Sequence, residues 1–454
     1  MENNRAQWGS KIGFILAAAG SAVGLGNIWK FPGKAFEGGG GAYILIYLAI
    51  VVLIGFPVML SELTIGRAAQ ANAIDSFHKL GYRGFKWVGV TGVAVAFIVT
   101  SYYCHVGGWV LRYVVSYITE AQTVYADPLG YFYGLLGYNA ATGETWFPLT
   151  AILFAAVFMP VNAVIIIKGV EGGIEKFNKV GMPALFIILI VLLARTITLD
   201  GAQVGFAYML SCDWSKVGFN TFLSALGQAF FSLSIGIGTM VTYASYFNPD
   251  TNLRHTALNV TILDTLVAVL AGVVIFPAVF SAGIEPTSGR ALVFITLPSI
   301  FNSMPLSMVW SSVFFLLLVV AALTSTISLH EVVTVYLHEE WHLSRKAAAW
   351  LTTAATAALA SLASLSLGVL GSWKVCGLSL FDSLDFLTAN ILLPAGGLFT
   401  CIFVGWKLDH HILKAQITNH GELKFRIYGL FSFLLRYVCP AVLLLIFLDN
   451  LGVF

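Results

Sequence analysis

The chain has 454 residues, of which 58% are hydrophobic and only 10% are charged, and its mean hydropathy is +0.86. This composition excludes a soluble globular fold and indicates a polytopic membrane protein embedded in a lipid bilayer. The formal net charge of +2 gives no support to a nucleic-acid partner.

Eleven apolar stretches of about 20 residues follow one another along the chain and predict transmembrane helices, called spans 1 to 11 here. Their approximate limits are 11–33, 41–66, 88–118, 148–168, 180–200, 219–246, 257–283, 307–337, 347–370, 383–406 and 428–448. Span 1 is too long for the core of a signal peptide. A cytoplasmic N-terminus puts most Lys and Arg inside, so the C-terminus is predicted outside. The short loops favour a prokaryotic cell inner membrane.

Span 1 cannot stay helical through its centre, because residues 20–27 read Gly-Ser-Ala-Val-Gly-Leu-Gly-Asn. Lipid cannot satisfy a backbone that opens at membrane depth, so a ligand or an ion must do so. The two halves of a broken helix offer free N–H groups to an anion and free C=O groups to a cation. This segment is therefore predicted to be a binding site.

Span 6 repeats the pattern, since Gly236-x-Gly238 interrupts its apolar run as Gly24-x-Gly26 interrupts span 1. Glycines that simply line helix contacts are the alternative explanation. Corresponding interruptions five helices apart predict two structural repeats, and an odd number of spans per repeat makes them inverted. The predicted all-α architecture comprises repeat one (1–200, spans 1–5), repeat two (201–410, spans 6–10) and appended span 11 (411–454).

Several motifs resemble signatures of the neurotransmitter:sodium symporter family, and the resemblance covers nearly the whole chain. They are Arg5-x-x-Trp8, LAAAGSAVGLGNIWKFP (16–32), GQAFFSLSIGIG (227–238), ITLP (295–298), ALTSTIS (322–328) and LSRK (343–346). The resemblance implies the LeuT-like fold of the bacterial amino-acid branch. It also implies sodium-coupled symport by alternating access.

The resemblance further implies a substrate site around the two breaks. Its residues would be Ser21, Ala22, Gly24, Leu25, Gly26, Val99, Tyr103, Phe231, Ser232, Ser234, Ile237, Ser325 and Leu329. Monoamine carriers of the family have Asp where this chain has Gly24, so the substrate here must bring its own carboxylate. Amides near Leu25 would hold that carboxylate. The uncharged wall predicts a neutral amino acid with an apolar or aromatic side chain.

Two sodium sites are implied by the same resemblance. The first would use the Ala22 carbonyl, Asn27, Ser232, Asp264 and the substrate carboxylate. The second would use the carbonyls of Gly20, Val23 and Ala321 with the hydroxyls of Thr324 and Ser325. For these hydroxyls, hydrogen bonding to their own helix is the alternative.

Asp264 departs from the family pattern, because many members have Asn there, and Ala268 replaces a Ser that helps to hold chloride in animal relatives. An intramembrane carboxylate is functional by default. Asp264 could supply the negative charge that chloride supplies elsewhere, so transport is predicted to need no chloride. Once sodium leaves, the poorly solvated carboxylate is expected to take up a proton, which would couple proton export to uptake.

Six residues are implied to form two gates: Arg5, Trp8, Lys30, Tyr246, Glu339 and Asp385. Lys30 stands where the family usually has Arg and would face Asp385 on the outside. Lys cannot reproduce the Arg fork, so this outer pair should be loose. Ordinary interfacial charge is the alternative explanation of Lys30 and Asp385. On the inside, Arg5 and Trp8 would face Glu339.

Gly173 and Pro183 lie ten residues apart at the cytoplasmic end of span 5, and both are weak helix formers. Unwinding there could let water reach the second sodium site. Ordinary Gly and Pro in a membrane helix are the alternative.

An enzyme is the main competing class, since His338-Glu339-x-x-His342 matches the zinc-protease motif H-E-x-x-H. The motif lies at the cytoplasmic end of span 8, lacks an obvious third ligand, and includes the predicted gate acid Glu339. A ligand-gated channel or receptor would use a similar pocket but would show substrate-gated conductance. The sequence therefore predicts a transporter, with no catalytic residue.

Overall fold

The computed structural model describes residues 5–283 and 288–452, and within these ranges the regular structure is helical, with no β-strand. Nine helices in this part of the chain are long and apolar enough to cross a membrane. They are Gly41–Ala69, Arg83–Thr119, Leu149–Ile167, Val170–Ile197, Leu253–Ser281, Ser307–Glu340, Arg345–Leu365, Leu380–Lys407 and Tyr428–Asn450. These are spans 2–5 and 7–11.

Spans 1 and 6 are the broken ones. Span 1 consists of Lys11–Ala22 and Gly26–Glu37, which meet at an angle of 50°. Span 6 consists of Phe219–Ser232 and the short helix Thr239–Ala244, with residues 233–238 between them. The predicted all-helical polytopic fold is confirmed.

Span 5 begins at Val170, about ten residues before its predicted limit. The polar side chains of Glu171, Glu175 and Lys176 lower the hydropathy of its first turns, which are helical nonetheless. Hydropathy marks the apolar part of a helix, and a helix can continue beyond it into the interface.

Polar side chains cap the ends of several spans. The Ser10 hydroxyl accepts a hydrogen bond of 3.0 Å from the Gly13 amide at the start of span 1. Asn252 caps span 7 through the His255 amide at 3.1 Å. Such caps satisfy amides that the first helical turn leaves free.

Spans 3 and 8 form the centre of the bundle, since 67% of the most apolar 18-residue stretch of each is buried. Span 11 is peripheral, because only 28% of the corresponding stretch is buried. Short helices fill the connections: Asp75–Lys79, Ala121–Ala126, Pro128–Leu135, Ala202–Leu210, Gly289–Ala291, Leu297–Asn302 and His410–Ile417. The break in span 1 lies beside both central spans, because Tyr103 of span 3 and Ser325 of span 8 contact its backbone.

Candidate functional site

The break in span 1 leaves its backbone groups with specific partners. The first half ends where Val23 adopts an extended conformation. Beyond it, the Leu25 amide donates to the Tyr103 hydroxyl at 2.6 Å. The Gly24 amide donates to Asn27 Oδ1 at 3.1 Å. Side chains from span 3 and from the second half of span 1 thus replace the missing helical bonds.

The break in span 6 rests on three residues with positive φ: Ser234 (54°), Gly236 (83°) and Gly238 (77°). The Gly236 amide donates to Glu62 Oε1 of span 2 at 2.7 Å. A side chain at Gly236 would put its Cβ 2.6 Å from the Leu393 carbonyl oxygen. Glycine is therefore required there by both conformation and space.

The two breaks face each other across one small cavity. Ser234 Oγ donates across it to the Ser21 carbonyl at 3.0 Å. The cavity is lined by Ser21, Ala22, Gly24, Gly26, Asn27, Val99, Tyr103, Phe231, Ser232, Ser234, Ile237, Ser325 and Leu329. The structure therefore brings together all the predicted substrate residues except Leu25, whose amide bonds to Tyr103 instead of lining the space.

The cavity is narrow, with a volume of about 20 Å³. A side chain at Gly24 would not fit, because its Cβ would lie 2.5 Å from the Tyr103 hydroxyl and 2.6 Å from Ser325 Oγ. No acidic or basic side chain is among the cavity-lining residues of the described chain. The wall can supply backbone groups, hydroxyls and apolar contacts to a ligand.

Asp264 is the centre of the first predicted sodium site and is completely buried in span 7. Its carboxylate accepts from Asn27 Nδ2 at 2.7 Å and from Ser232 Oγ at 2.7 Å. No cationic side chain of the described residues pairs with it. A buried carboxylate that is hydrogen-bonded but has no counter-charge matches the chemistry of a hard cation site.

Two further polar side chains lie next to these residues. The Tyr47 hydroxyl lies 3.5 Å from Ser232 Oγ, and Gln228 Nε2 donates to the Gly26 carbonyl at 3.1 Å. Ala268, one turn beyond Asp264 in span 7, is fully buried. Its methyl group offers nothing to an anion.

The residues of the second predicted sodium site also converge. Ser325 Oγ lies 3.0 Å from the Val23 carbonyl oxygen and 3.4 Å from that of Gly20. Thr324 Oγ1 lies 3.0 Å from the carbonyl oxygen of Ala321. Ser325 thus reaches across to span 1, while Thr324 bonds chiefly to its own helix. Three carbonyls and two hydroxyls form a neutral oxygen cluster suited to a hard cation.

The predicted outer pair forms above the cavity. Lys30 Nζ lies 3.1 Å from Asp385 Oδ1 and 4.4 Å from the centre of the Phe231 ring. The Tyr102 hydroxyl donates to the same carboxylate at 3.1 Å. Phe231 lies directly beneath this pair as part of the cavity wall.

The predicted inner residues also contact one another. Arg5 Nη1 lies 2.6 Å from Glu339 Oε1, and the Arg5 guanidinium lies 5.0 Å from the Tyr246 ring centre. Trp8 is buried and donates from Nε1 to the Tyr243 carbonyl at 3.0 Å. Both sides of the cavity are therefore covered.

Three buried acids contribute to this arrangement without having been predicted. Glu62 supports the span 6 break, as described above. Glu331 accepts from the Tyr246 hydroxyl at 2.8 Å and from Arg345 Nη2 at 2.7 Å. Glu175 accepts from Ser10 Oγ at 2.8 Å. Carboxylates within or beside apolar spans were the available signal, because such residues are rare and functional.

The H-E-x-x-H motif does not form a metal site. Span 8 ends at Glu340, and His342 has φ of 53°, so the two histidines do not share a helical face. Glu339 pairs with Arg5, and His338 Nδ1 lies 2.6 Å from the Leu343 carbonyl oxygen. Among the residues that the structure describes, no group of three or more His, Cys, Asp or Glu could hold a metal ion.

Comparison with known proteins gives matches over nearly the whole chain. Residues 5–124 and 138–454 match the model of the sodium:neurotransmitter symporter family. A sodium-dependent transporter named YhdH from Bacillus subtilis is 35% identical over 453 residues, covering 100% of this chain and 99% of the relative. A sodium-dependent transporter from Haemophilus influenzae is 36% identical over 459 residues, covering 98% of each chain.

Among solved structures, the crystal structure of MhsT in complex with L-phenylalanine is similar to this one. The TM-score is 0.88 and the sequence identity is 40%, with 98% of this chain and 100% of that chain covered.

Proposed function

The chain belongs to the sodium:neurotransmitter symporter family, and from this we propose that it carries a neutral apolar or aromatic α-amino acid inward with two sodium ions. Family membership makes the protein a multi-pass, sodium-dependent membrane symporter and not an enzyme. The substrate, the number of ions and the direction of transport are the parts of the proposal that need testing.

The uncharged cavity between the two helix breaks carries this proposal. Beside the cavity, the Leu25 amide bonds to a neutral acceptor, the Tyr103 hydroxyl. A substrate carboxylate is a stronger acceptor for the same amide and can also accept from the tyrosine. Gly24 leaves room for that carboxylate, because any side chain there would collide with Tyr103 and Ser325.

An apolar or aromatic side chain suits the remaining wall, which includes Val99, Ile237 and Leu329. A charged side chain would lose its hydration there and find no partner. The L-phenylalanine bound to the similar MhsT supports this substrate class. The cavity of about 20 Å³ must widen for any amino acid, which fits a closed conformation of a protein that alternates.

Two sodium ions provide enough free energy for concentrative uptake. At ~100 mV each ion contributes ~2.3 kcal/mol, and a tenfold gradient adds ~1.4 kcal/mol per ion. Two ions then supply ~7.4 kcal/mol, which sets a limit near 10⁵-fold accumulation if nothing leaks and no proton is exchanged.

Asp264 is proposed to remove the need for chloride. Its fixed charge lies beside Asn27 and Ser232, where the first sodium would bind. After inward release of sodium, protonation of Asp264 would compensate its charge during the return step. Proton export would then accompany amino-acid uptake and reduce the net charge moved per cycle.

Alternating access is proposed to involve the two covered sides of the cavity. Opening outward would separate Lys30 from Asp385, and opening inward would separate Arg5 from Glu339. The proposed topology places Arg5 in the cytoplasm and the C-terminus outside a prokaryotic inner membrane. The halves that move would belong to the proposed inverted repeats, 1–200 and 201–410.

Flux in proteoliposomes tests the proposal. Purified protein should accumulate a radiolabelled neutral amino acid only with an inward sodium gradient, and uptake should depend on sodium with a Hill coefficient above 1. Equal uptake with potassium in place of sodium would contradict sodium coupling. Substrate-gated conductance without accumulation would instead indicate a channel.

Matched competitors test the carboxylate. Phenylalanine and phenethylamine share the ring and the amine, and only the first carries a carboxylate. We expect phenylalanine to compete at least tenfold better, since one or more charge-assisted hydrogen bonds are lost with the amine. Equal competition, or preferred transport of Asp or Lys, would refute the substrate assignment.

A further inference from the structure

A groove of about 390 Å³ lies where spans 4, 5 and 8 meet. Its apolar walls are formed by Ile165, Phe177, Val180, Ala184, Val320 and Leu323. Gly172, Gly173 and Gly181 contribute no side chain to it, and a Cβ added at Gly172 would meet nothing within 4 Å. The groove is therefore a channel along the surface of the bundle and not a gap in its core.

This surface faces the bilayer. Val180 is 70% exposed, and Val157 and Ile187 on the same two helices are 60% and 61% exposed. In a membrane-spanning bundle, such apolar side chains contact acyl chains. The acyl chains of the bilayer are thus the molecules next to the groove.

Two lysines stand at one end of the groove. Lys168 ends span 4 and Lys176 lies in the first turns of span 5, whereas Ala184 lies about two turns deeper. Both lysines are exposed, and neither forms an ion pair with any described residue. Lys179 differs, because its Nζ lies 2.7 Å from Glu175 Oε1. Glu171 lies between the two lysines in the chain but forms no ion pair with either, so both ammonium groups are free to meet an anion.

We propose that the groove binds one anionic phospholipid from the leaflet on the side of the N-terminus. Its phosphate would lie between Lys168 and Lys176, and an acyl chain would follow the apolar walls towards Ala184. The position of this end of span 5 is given by Glu175, which accepts from the Gly9 amide at 2.7 Å beside the start of span 1. Lysines at this level are where anionic headgroups are recognised.

The lipid would also bear on ion release. The wall of the groove is one residue layer from the second sodium site, since a Cβ at Gly181 would lie 3.4 Å from Thr324 Cγ2. A lipid in the groove packs against the first turns of span 5, whose glycines have few side-chain contacts of their own. Bound lipid would therefore stabilise these turns and slow their opening.

Native mass spectrometry of the full-length, delipidated protein tests the binding. Phosphatidylglycerol and phosphatidylcholine with identical acyl chains are titrated separately. Wild type should bind one phosphatidylglycerol in preference to phosphatidylcholine. Lys168→Gln/Lys176→Gln should weaken phosphatidylglycerol about thirtyfold, since each lysine near an anionic lipid contributes roughly a fivefold factor.

Lys407→Gln/Lys414→Gln is the matched control, since it removes the same charge from two exposed lysines on the same side of the bundle. It should leave binding unchanged. An equal loss in both double variants would show attraction to net charge and overturn the site. Unchanged binding in Lys168→Gln/Lys176→Gln would overturn it as well.

Ala184→Phe fills the deep end of the groove and keeps both lysines. It should weaken phosphatidylglycerol while leaving melting temperature and sodium-dependent uptake in phosphatidylcholine unchanged. Unaltered binding of phosphatidylglycerol in this variant would contradict the proposal. So would soluble glycerol phosphate that competes as well as phosphatidylglycerol does, because the site would then bind only an anion and not the acyl chain. Because lipid is counted directly, these outcomes do not depend on which amino acid is carried.

Discussion

The two candidate sodium sites share span 1 but differ in what attracts the ion. At the first, the completely buried carboxylate of Asp264 is held by Asn27 and Ser232. At the second, only neutral oxygens converge, and Ser325 provides the link between span 8 and the Val23 carbonyl. The first candidate site would therefore attract a cation by charge, and the second by the geometry of a broken helix.

This difference predicts different behaviour. A charged site loses most of its affinity when one side chain is removed, because the charge cannot be replaced by neighbours. A neutral site loses only one ligand among several with each substitution. It is also the more sensitive of the two to movement of the helices that carry its carbonyls.

Asp264→Ala should have the largest effect. Removing the carboxylate takes the side-chain acceptor from Ser232 Oγ and deprives the first ion of its counter-charge. Asn27 Nδ2 keeps the Ser232 hydroxyl and the backbone carbonyl of residue 264 as acceptors. At about 3–5 kcal/mol for breaking a buried charged interaction, uptake should fall more than about a hundredfold. Sodium-dependent uptake in proteoliposomes measures this. Thr265→Ala, at the next residue of the same span, is the control and should retain uptake. Near-normal transport by Asp264→Ala would contradict a role for this charge in the first site.

Ser325→Ala should have a smaller effect at the second site. It removes one hydroxyl ligand and the 3.0 Å link to Val23, a loss of about 1–1.5 kcal/mol. The sodium concentration for half-maximal uptake should rise about tenfold. Ser328→Ala is the control, since that hydroxyl bonds to the Ser325 carbonyl within span 8. A control that shifts sodium dependence equally would indicate a general effect on span 8.

Asp264→Asn/Ala268→Ser should convert the first site to one that uses a mobile anion. Neutralising Asp264 removes the fixed charge, and the added hydroxyl offers a donor to chloride. Uptake by the variant should rise about threefold to tenfold when chloride replaces gluconate, a response typical of a partly screened ion pair. Wild-type uptake should not respond. If wild type falls without chloride at constant sodium and pH, Asp264 does not play this part.

The fold was predictable because it depends on properties that are local in the sequence. Apolar runs of membrane length predict the spans, and Gly236 and Gly238 predict a break that the structure has at residues 233–238. The beginning of span 5 was predicted about ten residues too late, because hydropathy does not detect the part of a helix that extends into the polar interface.

The helix breaks located the candidate site from sequence alone, but the residues that line it were predictable only through family resemblance. Hydropathy alone does not place Val99 and Leu329, from spans 3 and 8, on the same cavity. Glu62 was missed because its partner, the Gly236 amide, becomes free only after span 6 breaks and span 2 packs beside it. Pairing of this kind depends on helix packing, to which the local sequence pattern gives no access. An acidic residue within an apolar span, such as Glu62, was nevertheless a signal of a functional position.

Pro183→Ala should have the smallest effect and tests how the second site empties. Pro183 lies inside the continuous helix Lys176–Ile197 of span 5, where it favours local opening because proline is a poor helix former, and alanine should hold these turns in the helix. Turnover should fall about threefold. The ~3 kcal/mol difference in helix propensity would allow a larger effect. The observed effect should be smaller because opening also requires the contacts of Glu175 with Gly9 and Ser10 to break, and these contacts are the same in both proteins. Hydrogen exchange at residues 170–183 should slow in parallel.

Pro160→Ala is the matched control, because Pro160 also lies inside a membrane helix but away from the ion, and it should change neither measurement. If Pro183→Ala leaves turnover and exchange unchanged, the sodium ion leaves without opening of span 5.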